Sequence, residues 1–344
     1  MLATLGKVYA SATRLRARLY AGGRLRRRLG RPVVSVGNLT LGGTGKTPCV
    51  EALARRLRRM GLKPAVLTRG YGRSSRGVVV VSAGRGPLVG WREAGDEAYL
   101  LATRLEASVV VAAANRHAAG RLAESAYGVD VHILDDGFQH LRLERDLDLL
   151  LIDASRDLAS ERTLPAGRLR EPLAGLARAD LMLLTRSHQA RAEDGALEAL
   201  LARYAPRAPV FRSRQLLKGW VEPGGARAGL ERWKGARALV VSAIGNPAQF
   251  AADVASAGLE VAGERAFRDH HAYDGADLES LARAARAGRA DVVVTTLKDL
   301  VRLEVLLADR SLGVPVAALE AELLLPEDPA FQDMLEAALG RKAA

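Results

Sequence analysis

Residues 32–60 read PVVSVGNLTLGGTGKTPCVEALARRLRRM, and the fold class is best predicted from this stretch. The β-branched run over residues 32–36 predicts a strand, the glycines of residues 42–45 predict a turn, and residues 46–60 predict a helix. A strand, a glycine-rich turn and a helix in this order place backbone N–H groups and a helix N-terminus at one point. The stretch therefore predicts a loop that binds phosphate oxygens.

The turn itself reads Gly42-Gly43-Thr44-Gly45-Lys46-Thr47. In a phosphate-binding loop of this type, Lys46 is expected to reach the β and γ phosphates, and the Thr47 hydroxyl is expected to hold Mg²⁺. The strict pattern requires a further glycine at position 40, where this chain has Thr40. The alternative is a tight turn that binds no ligand.

Outward from this loop, apolar runs alternate with helical stretches near residues 95–105 and 115–126. The runs lie at residues 64–68, 109–113, 131–134, 147–152 and 181–184. Buried runs separated by helices predict an α/β fold, a P-loop NTPase-like parallel sheet with helices on both faces.

A second, smaller α/β domain is predicted from apolar runs at residues 238–244, 291–295 and 314–318. Between the two series the chain is predicted to be helical from about residue 187 to 205 and then extended through a Pro- and Arg-rich segment. The predicted organisation is a basic amphipathic helix over residues 1–30, a P-loop domain over 31–206, a linker over 207–218 and a second domain over 219–344.

Composition excludes several classes of protein. The chain has 344 residues, of which 49% are hydrophobic and 26% charged, so it can bury a sizeable core. This argues against a disordered protein, a collagen or a coiled coil. The single cysteine, Cys49, excludes a disulfide framework within the chain and a multi-cysteine metal cluster.

Positive charge is concentrated at the N-terminus. Residues 1–50 carry ten basic side chains and no acidic one, out of a net charge of +12 for the whole chain. The remainder is close to neutral, which argues against a dispersed nucleic-acid surface. No apolar stretch reaches the roughly 18–20 residues of a membrane-spanning helix, and arginines interrupt the place of a secretory signal. A cytoplasmic protein is expected.

The basic N-terminus also has helical periodicity. Leucines and other apolar residues form a stripe along one side of the predicted helix: Leu5, Val8, Ala12, Leu15 and Leu19. The basic residues Lys7, Arg14 and Arg18 lie on the opposite side. Such a helix suits the interface of an anionic bilayer, where each basic group adds about 1 kcal/mol. The alternative is a helix packed on its own domain with a solvated basic face.

Two adjacent acids, Asp135 and Asp136, follow the apolar run of residues 131–134. A P-loop needs a carboxylate at the end of a neighbouring strand to position a metal ion, and two acids at this place are poorly suited to burial without a cation. The alternative is a solvated turn with an aspartate cap. Asp153, at the end of the next strand, is a weaker candidate.

Two further polar segments are ambiguous from their chemistry alone. Gly95-Asp96-Glu97 opens a predicted helix, and an aspartate there is explained as an N-cap. Asp269-His270-His271 suggests a base or a metal ligand, although a polar loop can hold these residues without function.

Taken together, seven separated motifs between about residues 30 and 300 resemble the tetraacyldisaccharide 4'-kinase family. They are Ser35 to Pro48 around the loop, Thr68-Arg69-Gly70-Tyr71-Gly72-Arg73, Gly95-Asp96-Glu97, Asp135-Asp136-Gly137-Phe138-Gln139-His140, Pro165-Ala166-Gly167-Arg168-Leu169-Arg170-Glu171-Pro172, Gly245-Asn246-Pro247 and Asp269-His270-His271.

The resemblance implies transfer of the γ-phosphoryl of ATP to the 4'-hydroxyl of an acylated glucosamine disaccharide 1-phosphate lipid, which gives lipid IVA. It also implies a peripheral enzyme at the cytoplasmic face of the inner membrane, with two α/β domains. No nucleic acid and no obligate protein partner are expected. Because the acyl chains stay in the bilayer, the resemblance favours membrane contact for the N-terminal helix.

By the same resemblance, Lys46 and Thr47 carry the phosphate and metal functions, and Asp135 and Asp136 match an acidic pair near Mg²⁺. Asp96 matches a proposed general base that a histidine assists, most simply His270, with His271 as its alternative. Residues of less certain function in the match are His140, Arg170 and Glu171.

Two departures from the family pattern are present. Ala98 stands where the family usually has proline, and Thr296-Leu297-Lys298-Asp299 lacks the glutamate of the usual Thr-Glu-Lys-Asp. No function is assigned to that second segment. The alternative from another class is a membrane-recruited P-loop NTPase switch without a lipid substrate, which leaves the segments around His270 and Arg170 unexplained. A nucleic-acid-binding protein is a weaker third possibility.

Overall fold

The computed structural model describes residues 2–186 and 194–340, which form two compact units. The first unit comprises Met1–Gln215 and Leu323–Ala344, and the second comprises Leu216–Glu322. Each unit is an α/β structure built on its own sheet.

In the first unit the described residues form an eight-stranded sheet in the order β3-β4-β2-β5-β1-β6-β7-β8. Its strands are β1 (Val33–Asn38), β2 (Pro64–Thr68), β3 (Val79–Ala83), β4 (Val109–Ala112), β5 (Val131–Asp135), β6 (Leu147–Asp153), β7 (Leu181–Thr185) and β8 (Val210–Arg212). All neighbouring pairs are parallel except β3 with β4. The mostly parallel sheet predicted from the sequence is confirmed.

Six helices of the first unit precede the second unit in the described part of the chain. They are α1 (Leu2–Ala21), α2 (Lys46–Arg59), α3 (Trp91–Ala94), α4 (Asp96–Arg104), α5 (Arg116–Tyr127) and α6 (Asp194–Tyr204). A short 3-10 helix covers Leu173–Arg178. Helices α2 and α4 contribute to one core cluster, whereas α5 and α6 contribute to two others. Every residue of β1 is buried, as a strand covered by helices on both faces requires. The predicted helix from residue 187 lies outside the described residues as far as residue 193.

The second unit contains a six-stranded sheet in the order β10-β9-β14-β13-β11-β12, counted over the part of the chain that the structure describes. Its strands are β9 (Arg214–Val221), β10 (Arg227–Ala228), β11 (Arg237–Ser242), β12 (Glu260–Ala266), β13 (Val292–Thr296) and β14 (Val316–Leu324), and its helices are α7 (Pro247–Ser256), α8 (Gly275–Ala287) and α9 (Leu297–Leu307). Two 3-10 helices cover Pro223–Gly225 and Leu230–Trp233.

The predicted domain boundaries need correction. The proposed linker over residues 207–218 contains β8, which pairs with β7 in the first sheet, and most of β9. The alternating exposure of β9 explains why its sequence suggested an unpacked extended segment. The predicted second domain over residues 219–344 is too long, because the chain returns to the first unit in α10 (Pro329–Ala338). Phe331 and Leu335 of α10 belong to the same core cluster as α2.

Helix α1 also differs from its predicted length. It ends at Ala21, before Gly22-Gly23, rather than continuing to residue 30. The chain turns over residues 22–25 and then contacts a distant segment: the Arg27 N–H donates to the Arg142 carbonyl at 2.8 Å, and Leu29 is buried. Two glycines stop the helix because they lose more conformational freedom in it than other residues.

The face that α1 packs on its own unit is made of small residues. Gly6 and Ala10 are buried, and the Gly6 carbonyl accepts a hydrogen bond from Thr163 Oγ1 at 3.0 Å. The apolar stripe points elsewhere: Leu5, Val8, Leu15 and Leu19 are 48%, 64%, 60% and 59% exposed. Helix α1 thus packs on its own unit, as one of the two alternatives expected, but through a face other than the apolar stripe.

No helix among the described residues combines the length and the apolar character needed to cross a membrane.

Candidate active site

The phosphate-binding turn lies between β1 and α2, at the carboxyl edge of the sheet. Gly42 and Gly45 have φ values of 103° and 86°, which glycine adopts without the penalty of a Cβ atom. Gly45 is the N-cap of α2, and no side chain within residues 2–186 and 194–340 caps this helix. Thr185, at the end of β7, donates to the Thr44 carbonyl at 3.2 Å. The turn is thus fixed by a neighbouring strand, and the first N–H groups of α2 can donate to a phosphate.

Lys46, the first residue of α2, is held over the end of β1. Its Nζ donates to Asn38 Oδ1 at 3.1 Å and lies 3.7 Å from Asp136 Oδ1. The Asn38 amide in turn donates to the Thr40 carbonyl at 2.7 Å. The ammonium group is therefore fixed in position beside the glycine turn.

The two adjacent acids have opposite electrostatic environments. Asp135 ends β5, is 3% exposed and accepts a hydrogen bond from Thr68 Oγ1 at 2.8 Å. Burial, with the nearby Glu97 and Asp136 carboxylates, raises the pKa of Asp135 to about 6. Lys46 opposes this rise without outweighing it, so a cation at this place would stabilise the ionised carboxylate.

Asp136 follows with φ 52° and accepts two hydrogen bonds from Arg170 Nη1, both at 2.8 Å. Burial alone would raise the pKa of Asp136, but Lys46 and Arg170 outweigh it and lower that pKa. The solvated turn considered as the alternative for the two acids is not what the structure contains, because Asp135 is buried.

Arg170 and Glu171 belong to one hydrogen-bonded network behind the acids. Gln139 accepts from Arg170 Nη1 at 3.2 Å, and its amide donates to Glu171 Oε1 at 3.1 Å and to the Asn38 carbonyl at 3.0 Å. Arg178 donates to both oxygens of Glu171, at 2.7 and 2.8 Å, and stacks on the Phe138 ring at 4.4 Å. Glu171, predicted as a site candidate, thus contacts the site through Gln139.

His140 is half-buried among arginines at the same edge of the sheet. Burial, together with Arg116, Arg145, Arg16 and Arg142, lowers the pKa of His140 to about 4. The imidazole is therefore neutral at physiological pH.

Asp96 is the first residue of α4 and is 5% exposed. Gly95, not Asp96, occupies the N-cap position, so the explanation of Asp96 as an N-cap does not apply. Gly95 has φ 88° and lies directly against the backbone of Gly70 and Tyr71. A Cβ atom on it would meet the Tyr71 carbonyl oxygen at 2.8 Å and the Gly70 carbonyl carbon at 3.0 Å. This contact joins the start of α4 to the loop after β2. Asp96 and Glu97 therefore share the sheet edge with Asp135, whose pKa Glu97 raises.

The predicted histidines lie in the second unit and differ in their surroundings. His271 Nε2 is 2.8 Å from Asp277 Oδ2, and its ring stacks on Phe267 at 4.6 Å. His270 has φ 62°, and its Nε2 lies 3.0 Å from Lys298 Nζ. The structure thus places His271 in packing contacts and His270 beside a lysine.

Sequence reasoning missed Lys298 and Arg116. Lys298 belongs to the segment that received no function, and only its match to the lysine of the family pattern could have indicated it. Arg116 begins α5, is 5% exposed and has no hydrogen-bond partner for Nε among the described residues. Burial lowers the pKa of Arg116 to about 10, against the opposing effects of Asp135 and Asp136. Nothing in its local sequence distinguishes Arg116 from an ordinary first-turn residue.

Asp153, the weaker metal candidate, is paired with two arginines. Its Oδ2 is bound by Arg186 and lies 3.4 Å from Arg156 Nε. No group of three or more His, Cys, Asp or Glu side chains suited to a metal ion occurs in the described ranges.

Comparisons with known proteins identify relatives of this chain. The model of the tetraacyldisaccharide-1-P 4'-kinase family (LpxK) matches residues 1–340. A protein of Geobacter metallireducens named tetraacyldisaccharide 4'-kinase is 43% identical over 334 residues, 95% of each chain. A protein of Anaeromyxobacter sp. strain K with the same name is 44% identical over 340 residues, 96% of this chain and 87% of its own.

Among solved structures, the chain is similar to LpxK from Aquifex aeolicus in complex with ATP, at 30% identity. The TM-score is 0.75, and the match covers 98% of each chain. The resemblance to the tetraacyldisaccharide 4'-kinase family and the predicted α/β fold class are both confirmed. The chain therefore belongs to the tetraacyldisaccharide-1-P 4'-kinase family.

Proposed function

We propose that this chain transfers the γ-phosphoryl of ATP to the 4'-hydroxyl of a tetraacylated glucosamine disaccharide 1-phosphate, giving lipid IVA. The observation that carries the proposal is the position of Lys46, held by Asn38 and Asp136 beside a glycine turn at an uncapped helix N-terminus. Family membership favours this lipid kinase over the alternative of an NTPase switch without a lipid substrate.

The triphosphate of ATP is the first ligand of this arrangement. Backbone N–H groups of residues 42–47 are expected to donate to the phosphate oxygens, and Lys46 to the β and γ phosphates. Phosphoryl transfer has a loose transition state with charge spread over the equatorial oxygens, so the protein contributes mainly position and positive charge. A lysine fixed by two side chains before ATP binds needs little rearrangement.

The residues present also fit Mg²⁺. The donors are the half-buried Thr47 hydroxyl and the carboxylates of Asp135 and Asp136, all oxygen atoms. A site with one or two carboxylates is typical of Mg²⁺, which keeps several waters and takes further ligands from substrate phosphates. When bound, the ion would neutralise charge on the β and γ phosphates. Thr68 and Arg170 would orient the two carboxylates through the hydrogen bonds described above.

Asp96 is the proposed general base. A sugar hydroxyl is a weak nucleophile, and a carboxylate within hydrogen-bond reach can take its proton as the oxygen attacks the γ-phosphorus. Asp96 starts α4, at the edge of the sheet that carries Asp135, and the close contact of Gly95 with Gly70 fixes this helix end. His270 of the second unit is proposed to assist Asp96.

Helix α1 is proposed to lie on the cytoplasmic face of the inner membrane. Arg16 lies next to the exposed stripe of α1, and Lys7 and Arg18 lie about 100–120° round the helix from the centre of the stripe, as the 100° spacing of helical residues places them. Leucines between basic groups suit an anionic lipid surface. The enzyme would thereby reach a substrate whose acyl chains stay in the bilayer.

The direct test is incubation of the purified chain with Mg²⁺, γ-³²P-labelled ATP and the disaccharide 1-phosphate lipid, followed by thin-layer separation. We expect a labelled lipid from the wild type. Lys46→Met should lower turnover about a hundredfold or more, since one preorganised transition-state donor is worth that much. Lys234→Met is the matched control, because this lysine is exposed and its ion pair with Glu231, at 3.4 Å, lies at the surface of the second unit.

A second comparison tests the base. Asp96→Asn should lower kcat about a hundredfold with an unchanged KM for ATP, whereas Glu97→Gln, one residue further along α4, should retain most activity. Near-full activity of Asp96→Asn would remove Asp96 from the mechanism.

A further inference from the structure

Residues 161–170, which we call the strap, pair with the chain that leads into the phosphate-binding turn. The Leu41 N–H donates to the Arg168 carbonyl at 2.8 Å. The Arg170 N–H donates to the Leu39 carbonyl, also at 2.8 Å. These two bonds have the antiparallel pattern, so the strap holds the segment before the glycines as a neighbouring strand would.

The strap is itself a fixed structure. The Leu169 N–H donates to the Arg162 carbonyl at 2.9 Å, and Leu169 is buried. Gly167 lies against the same arginine, because a Cβ atom on it would be 2.4 Å from the Arg162 carbonyl oxygen. The Thr163 hydroxyl ties the strap to α1 through the hydrogen bond described above. The backbone of the strap is therefore held both from within and by a helix.

Arg168 adds side-chain contacts to this pairing. Its Nη2 and Nε both donate to the Leu41 carbonyl, at 2.6 and 3.1 Å. The Leu41 side chain is 40% exposed, so burial does little to fix this residue. A guanidinium is a rigid, planar group with only donors, and two of its N–H groups on one oxygen define the direction of that carbonyl. Arg168 thus fixes the backbone immediately before Gly42.

The direction of the Leu41 carbonyl determines the direction of the next N–H group. The two groups belong to one planar trans peptide unit and point to opposite sides of the chain. Gly42 has φ 103°, and glycine adopts positive and negative φ about equally readily, so this peptide plane could rotate at little cost if nothing held it. A carbonyl oxygen turned toward a triphosphate would repel it, whereas an N–H group would donate to it. The orientation of this one peptide unit therefore affects anion binding.

We propose that Arg168 is a positioning residue for ATP: it holds the Leu41 carbonyl outward from the turn, so that the Gly42 N–H faces the phosphates. This inference rests on the proposed function, in which the turn binds the triphosphate. It also accounts for Thr40, which stands where the strict loop pattern has glycine. Thr40 bridges Leu169 of the strap, and a β-branched residue suits such pairing better than glycine does.

Nucleotide binding tests the proposal without any turnover. Calorimetric titration of the full chain with Mg²⁺ and a non-hydrolysable ATP analogue should give a Kd about tenfold or more higher for Arg168→Met than for the wild type, because an N–H bond to a charged phosphate is lost. Arg162→Met is the matched control: this arginine is an exposed residue of the same strap, and its variant should bind as the wild type does.

A conservative variant carries the test if Arg168→Met does not fold. Arg168→Lys should bind with intermediate affinity, since an ammonium can donate to the carbonyl but lacks the fixed fork of the guanidinium. Thermal unfolding identifies the folded variants. Wild-type affinity of folded Arg168→Met, or of Arg168→Lys where only that variant folds, would overturn the proposal.

A double-mutant cycle separates positioning from direct contact with the phosphates. Gly42→Ala disfavours the positive φ and so disturbs the same peptide unit. If Arg168 acts through this peptide, Arg168→Met should weaken binding of the analogue little further when Gly42→Ala is already present. Losses that multiply in the double variant would mean that the arginine acts on the phosphates independently of the turn, and would contradict the proposal.

Kinetics in the lipid assay give the functional readout. Arg168→Met should raise the KM for ATP about tenfold or more and leave the KM for the lipid unchanged. An unchanged KM for ATP would overturn the positioning function. A wild type that binds the analogue but forms no lipid product would contradict the proposed lipid kinase alone, and the affinities of the variants would still decide the function of Arg168.

Discussion

Substitution of Gly95 by alanine should damage the fold and the site together. Gly95 immediately precedes Asp96, with φ 88° and ψ 144°, a region that is essentially restricted to glycine. A Cβ atom there would lie 2.8 Å from the Tyr71 carbonyl oxygen and 3.0 Å from the Gly70 carbonyl carbon. Both contacts are with backbone atoms, which cannot rotate away as a flexible side chain could.

The size of the effect follows from two contributions. Backbone strain costs about 1–3 kcal/mol, and the steric overlap adds about 1–3 kcal/mol, so Gly95→Ala should destabilise the first unit by about 2–6 kcal/mol. Gly128→Ala is the control: its φ of 57° is also positive, but a Cβ atom there meets nothing within 4 Å. It should cost only about 1–2 kcal/mol.

The assay combines thermal unfolding with turnover on the lipid substrate. Gly95→Ala should lower the Tm at least twice as much as Gly128→Ala does. Its folded fraction should also lose about a hundredfold in kcat, because a shift of about 1 Å in a reacting group has that effect. Equal Tm values for the two variants, or wild-type kcat in Gly95→Ala, would refute the idea that this contact positions Asp96.

Three further predictions address other parts of the first unit. Replacing Leu5, Leu15 and Leu19 together by serine should leave the Tm unchanged but abolish co-sedimentation with anionic vesicles, since each exposed leucine contributes about 1–2 kcal/mol of burial in lipid; persistent binding would contradict membrane contact through this stripe. Arg178→Leu should lower the free energy of unfolding in urea by about 3 kcal/mol, because it leaves the buried Glu171 carboxylate unpaired, and a change below about 1 kcal/mol would count against the network. The pKa of His140 is about 4 in the folded chain, below its ordinary value of 6.5. Between these two pH values the unfolded state binds more protons than the folded state. The free energy of unfolding therefore falls as the pH decreases below about 6.5. Urea unfolding should show that the free energy of unfolding is about 1 kcal/mol lower at pH 5 than at pH 7 because of this half-buried group. The variant His140→Gln should not show this part of the decrease, and an equal decrease in the variant would exclude His140 as its source.

Much of the first unit could be predicted from its sequence because its strands are apolar runs with strong turns between them. The parallel strands, the phosphate-binding turn and the acids at the end of β5 follow directly from local patterns. The run of residues 131–134 ends in Asp135, and a parallel sheet brings such strand ends to one edge.

Other features depend on contacts between distant residues and have no local signal. Helix α10 is amphipathic wherever it packs, so its sequence could not show that Phe331 joins the core of the first unit. The edge strand β8 has only three residues, and β9 alternates between exposed and buried positions. The domain boundaries were for these reasons the least accurate part of the prediction.

The site shows the same division. The types and spacing of Lys46, Asp135 and Asp136 predict their chemistry, but not the charge environment that separates the pKa values of the two acids. Arg116 and Lys298 were missed because their significance lies in burial and in partners far away in the sequence. Asp96 was ambiguous until the structure showed Gly95 at the N-cap.

The most direct test of the account is the position of the transferred phosphate. Lipid product made by the purified chain from ATP and the disaccharide 1-phosphate should be examined by ³¹P and ¹H correlation NMR. We predict a new phosphomonoester coupled to the proton at carbon 4' of the distal sugar. A transferred phosphate found only as inorganic phosphate, or on another hydroxyl of the sugar, would contradict the account.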